Sequence, residues 1–318
     1  MRFAAKSQSK RRPRSSGTKA ALMASSIVGH LGPDEVLAYG VIGAGGLEVV
    51  YRSPRSDVYP WASVSKLVAA LAVHVALEDG SLQRTSRVGD FELSVEDLLS
   101  HSSGLATGGV GEPRLLAPQS VEPSRPPRER RIYSNIGYEL LGRSLEGLSG
   151  IRYRDYVMEA VLQPAGMTGA SFVVPSSVGG AVTSQEVTGA AFGIRGKLDD
   201  LIGLAAALCF EVAVSMESLL SIRTAFLPEL SGVLPGFGHQ SPNPWGLGAE
   251  VRGHKSPHWM GTMVSAESFG HFGQSGSFLW IDPIQRCFAV FAGSKPFGAW
   301  AKERWPSLND AIVRELRS

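Results

Sequence analysis

The stretch Trp61-Ala62-Ser63-Val64-Ser65-Lys66-Leu67 runs straight into an almost unbroken apolar segment from Leu67 to Leu77. Apolar residues on every side of successive turns mark a helix buried all round. That helix is expected from about Ser63 to Glu78, with Pro60 just ahead of its start and Gly80 closing its end. Ser63 and Lys66 are three apart, so they share a face and can meet across one turn. A hydroxyl and an amine at the start of a buried helix are what a serine acylation centre needs. The S-x-x-K spacing by itself is weak, because Ser7 with Lys10 and Ser16 with Lys19 repeat it in a polar, basic tail. Only the third pair opens a buried helix.

Working outward, Val36 to Gly43 and Leu47 to Arg52 read as two strands joined by a glycine-rich hairpin. The segment after the buried helix is helical in character. A short helix, Val95 to Ser100, is capped by Ser94, and others are expected at about Ile136–Leu148, Tyr153–Leu162, Lys197–Phe210 and Ser215–Phe226. Residues 106–131, rich in Pro, Gly and Arg, read as an irregular surface loop, and a Gly/Ser-rich stretch, 176–196, leads into the Lys197–Phe210 helix. From Trp245 strands return: Trp245–Arg252 alternates, and Ser277–Ile281 and Cys287–Ala292 flank an Asp282-Pro283 turn. An amphipathic helix, Ser307–Leu316, ends the chain. Strands at both ends and helices between them predict an α+β fold. Its antiparallel sheet is built from the N- and C-terminal segments, flanked by helices, with a mostly helical inserted subdomain. The expected division is a basic tail over 1–25 and one domain over 26–318. The sheet part of that domain covers about 30–90 and 240–318, the helical part about 91–239. A cleft at their boundary is the natural place for a site.

The chain has 318 residues and a net charge of +2, yet residues 1–20 hold seven Lys and Arg and no acid, leaving the rest at −5. An acidic body gives no electrostatic support to nucleic-acid binding. No run of about 18 apolar residues is present, so no membrane span is expected. The tail is a poor export signal: its apolar part, Ala20–Gly29, is short and contains Ser25 and Ser26. This leaves localisation open, with a lean toward the cytoplasm. Cys209 and Cys287 sit in apolar surroundings and read as buried free thiols. Pro257 between His254 and His258 breaks the helical face that zinc ligation with His271 would use. His74 reads as a core histidine and His101 as a loop brace. Neither a metal nor another cofactor is expected, and the partner is a small-molecule substrate.

A serine hydroxyl needs a neighbour to take its proton. Lys66 can do so if burial and the helix N-terminus lower its pKa. Tyr133-Ser134-Asn135 is the chain's one Y-x-N. Tyr133 could relay protons, Asn135 could hold a substrate amide, and Ser134 could cap the next helix. Gly270-His271-Phe272-Gly273-Gln274-Ser275-Gly276 leads into a strand, and its glycines would let substrate backbone approach an exposed edge.

Together, Ser63-Val64-Ser65-Lys66, Tyr133-Ser134-Asn135 and His271-Phe272-Gly273 resemble the serine β-lactamase and DD-peptidase superfamily. The likeness is specifically to its class C β-lactamase, DD-carboxypeptidase and family VIII esterase branch. The segments Leu98–Leu105 and Gly137–Gly142 are similar to further family stretches, and the resemblance spans roughly residues 36–300. It implies that Ser63 is acylated and that Lys66 and Tyr133 share the base role. The N–H groups of Ser63 and Gln274 would form the oxyanion hole, and His271 would stand where many relatives have lysine. Asn135, His271, Gly273 and Gln274 would bind substrate. Phe272 replaces the Thr or Ser that commonly contacts a substrate carboxylate, which favours less charged esters or amides. The implied activity is a serine hydrolase acting through an acyl-enzyme on a small ester, amide or β-lactam. The alternatives are a DD-carboxypeptidase and a non-hydrolysing sensor of β-lactams or peptidoglycan fragments.

Overall fold

In a computed structural model of the protein, which describes residues 27, 29, 31–109, 112–173 and 187–318, both ends of the chain meet in one antiparallel sheet. β1 (Glu35–Ile42) and β2 (Leu47–Arg52) form the N-terminal hairpin. β3 (Glu250–Val251), β4 (Phe269–Gly273), β5 (Ser277–Asp282) and β6 (Cys287–Gly293) come from the other end of the chain. The strand order is β3-β4-β5-β6-β1-β2, and the join is β1 on β6, in register from Glu35 opposite Gly293 to Val41 opposite Cys287.

Side chains alternate across this sheet, and both faces are buried except at the edge strand β2. Val36 and Ala38 of β1 enter one core, while Leu37 and Tyr39 enter another. A sheet covered on both sides reads in sequence as continuous apolar strands, as β5 and β6 do. The first face packs on α1 (Ser65–Glu78), behind which stand α2 (Val95–Leu99), α3 (Asn135–Ser149) and α4 (Tyr153–Val157), and directly on α5 (Leu198–Ala207), which lies against β6, β1 and β5. α6 (Met216–Arg223) adds Leu219 and Ile222 to the same core. The second face is covered by α7 (Ala299–Arg317), which lays Trp305, Leu308, Ile312 and Val313 against Leu37, Phe278, Trp280 and Phe291. Eleven of the fourteen residues of α1 are buried, so the helix has no solvent face and Lys66 is enclosed with its apolar neighbours.

Several boundaries differ from the sequence reading for physical reasons. Ser63 lies in a 3₁₀ turn, Ala62–Val64, ahead of α1 rather than in its first turn, and Ala62 takes a left-handed φ of 46°. Trp245–Arg252 forms strand only at Glu250–Val251, because the segment bonds back to α6. Leu247 N donates to Ser221 O and Ala249 N to Ile222 O. The helix expected over Tyr153–Leu162 winds its last five residues as a π turn, and the C-terminal helix begins at Ala299 and runs through Pro306. Cys287 is buried as expected, whereas Cys209 is only half-buried. The basic tail with its two S-x-x-K pairs, and most of the Gly/Ser-rich stretch, lie outside the described residues.

Candidate active site

Lys66 is completely buried, and its amine has three neighbours arranged around it. Nζ donates to Asn135 Oδ1 at 2.6 Å and to Ala191 O at 2.7 Å, and its third direction points to Ser63 Oγ at 3.4 Å. Burial pushes its pKa well below the ordinary lysine value, with the Glu139 carboxylate opposing the shift. The rings of Tyr133 and Tyr138, 4.8 and 5.4 Å away, offer partial compensation to the charged form. A neutral amine has two N–H bonds and one lone pair. The two carbonyls take the N–H bonds, leaving the lone pair for the Ser63 hydroxyl.

Each partner of Lys66 is itself held. The Gly108 carbonyl can only accept, so Asn135 Nδ2 must face it, donating at 2.6 Å, which turns Oδ1 toward Lys66. Both ends of this amide are thus engaged within the protein. Ala191 O is fixed through Glu139, whose buried carboxylate accepts from Thr188 N, Thr188 Oγ1 and Ala191 N.

Tyr133 is placed by its flanks. Ser134 caps α3 by accepting from Gly137 N, and the backbone N–H of Ser134 donates to His101 Nδ1 at 3.1 Å. His101, buried and neutral, therefore carries its proton on Nε2 and braces the loop. On the other side Arg131 is buried and donates to Ser100 O, Asn243 O, Phe226 O and Leu227 O at 2.6–3.2 Å. The Tyr133 hydroxyl is buried beside the Ser63 hydroxyl, near enough to feel it but without a well-aligned hydrogen bond among the described residues. Burial pushes its pKa above the usual tyrosine value by more than the Ser63 hydroxyl pulls it down, so Tyr133 rests as the neutral phenol.

β4 forms the opposite wall. A Cβ on Gly273 would lie 2.3 Å from Trp61 O, so only glycine lets the strand rest on the turn that carries Ser63. Ser277 Oγ, at the start of β5, holds the same turn by donating to Trp61 O at 2.9 Å. His271 Nδ1 donates to Phe272 O at 2.7 Å, which leaves Nε2 as a lone-pair acceptor, buried and unpartnered among the described residues. Burial lowers the His271 pKa to about 3, so the ring is neutral at pH 7 and acts through its dipole rather than a charge. Its ring lies 5.8 Å from that of Tyr133 and 5.5 Å from that of Trp245. Phe272 packs on Phe297, Trp259 and Trp305 and gives the cleft an apolar wall. Gln274 also lines the cleft, its Nε2 donating to Phe297 O. Ser63, Tyr133, Asn135, His271, Phe272 and Gln274 thus surround one cavity of about 280 Å³, with Lys66 beneath it and Gly273 at its edge.

Three supporting groups escaped the sequence reading. Glu139 could have been noticed as an acid within the apolar run of α3. Arg131 is hidden among Arg125, Arg128 and Arg130, which look identical in sequence. The third is a buried cluster at the cleft wall, where Glu250 itself lines the cavity. Glu250 Oε1 accepts from Lys255 Nζ at 2.6 Å and from His258 Nε2 at 2.7 Å, and Oε2 accepts from Trp259 Nε1 at 2.9 Å. Burial raises the Glu250 pKa, but Lys255 and His258 more than offset this and hold it ionised. His258 Nδ1 accepts from Met260 N, so Nε2 carries the proton given to Glu250. No set of three or more His, Cys, Asp or Glu among the described residues is arranged to hold a metal ion, and no helix among them is long and apolar enough to cross a membrane.

Comparison with known proteins gives the family and the fold. Residues 35–311 match the model of the β-lactamase family. A β-lactamase from Mycobacterium bovis has a similar structure, with a TM-score of 0.78 and 36% identity, over 92% of this chain and 99% of that one. EstCE1, a hydrolase with promiscuous acyltransferase activity, shares the fold with a TM-score of 0.73 at 16% identity, covering 93% and 100% of the two chains. A protein of Escherichia coli (strain K12), provisionally described as a D-alanyl-D-alanine carboxypeptidase, is 22% identical over 79% of this chain and 72% of its own length.

Proposed function

The chain belongs to the β-lactamase family of hydrolases, and from that premise we propose that it is a serine hydrolase working through an acyl-enzyme at Ser63. The observation that carries this reading is the Lys66 amine, whose two N–H bonds are taken by carbonyls while its third direction faces Ser63 Oγ. Lys66 accepts the Ser63 proton as Oγ attacks the substrate carbonyl carbon. The N–H groups of Ser63 and Gln274 hold the oxyanion that forms. Tyr133, neutral at rest, gives its proton to the leaving group as the bond between the carbonyl carbon and that group breaks, and the proton on Lys66 replaces it. Deacylation runs the same route with water as nucleophile, Tyr133 and Lys66 taking its proton and returning one to Ser63 Oγ.

The substrate read from the cleft is a compact ester. The cavity of about 280 Å³ is walled by Phe192, Leu234, Trp245 and Phe272, and the third motif offers neither lysine nor a hydroxyl to a carboxylate beside the scissile bond. Identity of 36% with the Mycobacterium bovis β-lactamase over nearly the whole chain favours a second reading, β-lactam hydrolysis. Wild type and Ser63→Ala, given 4-nitrophenyl butyrate, a chromogenic cephalosporin and a fluorescent penicillin, separate the two. Ester turnover that vanishes in Ser63→Ala is expected. Cephalosporin turnover exceeding ester turnover would select the second reading, and stoichiometric labelling without turnover would make the protein a sensor. Equal hydrolysis by wild type and variant would remove Ser63 from the chemistry.

A further inference from the structure

On the far side of Tyr133 the candidate cleft adjoins a second, larger cavity of about 670 Å³, and the two share Thr107, Tyr133 and Pro235 as lining. The second cavity has a different character. Arg125, Arg130 and Arg131 line it together with Ser124, Ser231 and His239, and no acidic residue does. The exposed Arg125 makes no ion pair among the described residues, and Arg130 has only its sequence neighbour Glu129, at 3.5 Å. A pair of that kind between exposed side chains holds a guanidinium weakly. Arg131 differs: its donors are committed to backbone carbonyls, so it adds fixed positive charge behind the wall without offering a hydrogen bond. Guanidinium groups present paired N–H donors that match a carboxylate, and a cleft lined by one sign of charge concentrates the opposite sign.

Resting on the serine-hydrolase reading, we propose that this cavity is an anion subsite. The substrate is an ester or amide that carries a carboxylate remote from its scissile bond, and Arg125 and Arg130 bind that carboxylate beyond Tyr133. The apolar Phe272 wall and the arginine cavity then divide the work: the reacting end packs on Phe272, and the far end is recognised by its charge.

The test compares matched esters differing in one charge. On the acyl side these are 4-nitrophenyl hydrogen glutarate and 4-nitrophenyl valerate. On the leaving-group side they are the butyrate esters of 4-hydroxybenzoate and 4-hydroxybenzamide. One carboxylated member is expected to exceed its neutral partner in kcat/KM by at least about tenfold, mainly through KM, as a charge-assisted contact gives. That ratio should fall toward one in the Arg125→Gln/Arg130→Gln variant and as salt is raised. Ratios near one for both pairs in wild type, or a preference that survives in the double variant, would overturn the subsite. If wild type turns over no ester, the hydrolase reading has failed by itself. The subsite is then read by calorimetric binding of hydrogen glutarate monobenzyl ester: saturable binding lost in the double variant supports it, and no binding refutes it.

Discussion

The Lys66 amine can act as a base only while neutral, so the rate should rise with pH as Lys66 loses its proton. Its depressed pKa places that ascending limb below the ordinary lysine value of about 10.4. The neighbouring groups do not titrate in the same range: His271 is already neutral above a pKa of about 3, and burial moves Tyr133 upward. Asn135→Asp puts a carboxylate where the neutral oxygen now lies 2.6 Å from Nζ, which favours the ammonium. The limb in kcat/KM should move to higher pH by about one to three units, and a limb that stays put would mean that another group titrates. Tyr133→Phe should lower turnover of the same ester at least about tenfold if the phenol relays protons, and an unchanged rate would exclude it. At this scale the sequence displayed which residues the cleft brings together but not how they are joined. Ser63, Lys66, Tyr133 and His271 were legible from spacing and resemblance. The use of both ends of the Asn135 amide inside the protein was not, because its partner Gly108 O lies 27 residues away.

α1 was legible because burial on all sides writes itself into sequence as an apolar run, and removing part of that packing has a predictable consequence. Leu71 is fully buried, and Leu71→Ala should lower stability by about 2–5 kcal/mol in urea unfolding. The short elements around it were less legible where tertiary contacts override local preference. Trp245–Arg252 has the alternation of a strand, but its backbone is drawn onto α6, where a Cβ on Gly246 would sit 2.1 Å from Ile222 O. The loop that delivers Tyr133 depends in the same way on one side chain that spacing cannot pick out. Arg131 serves carbonyls from residues 100, 226, 227 and 243. Arg131→Lys cannot span them with one ammonium, and each buried carbonyl left without a donor costs about 1–3 kcal/mol. Loss of at least about 2 kcal/mol is expected, with kcat falling more than KM rises as Tyr133 shifts. A variant as stable and active as wild type would show that the loop holds itself.

Across the whole molecule, the closure of one sheet from both chain ends was readable from strands at the termini and helices between them. The charged cluster at the sheet's β3 end was not, because Glu250, Lys255 and His258 come together only through the turn that folds residues 255–260 back over the sheet edge. This cluster ties global stability to pH, and its sign can be worked out. Glu250 has a lower pKa in the folded protein than in the unfolded chain, where a glutamate titrates near about 4.3. The unfolded state therefore binds the extra proton as the medium is acidified. The ion pair's contribution is fully present above about pH 4.3 and is lost as pH falls toward the folded value. Glu250→Gln removes the charge but leaves the Lys255 ammonium buried opposite a neutral amide. Breaking a buried pair from one side costs about 3–5 kcal/mol. The expected outcome at neutral pH is a urea midpoint lowered accordingly, with a smaller further decline than wild type between about pH 5 and pH 3. If the two proteins lose stability in parallel over that range, the acid sensitivity belongs to other carboxylates and Lys255 is not what holds Glu250 ionised.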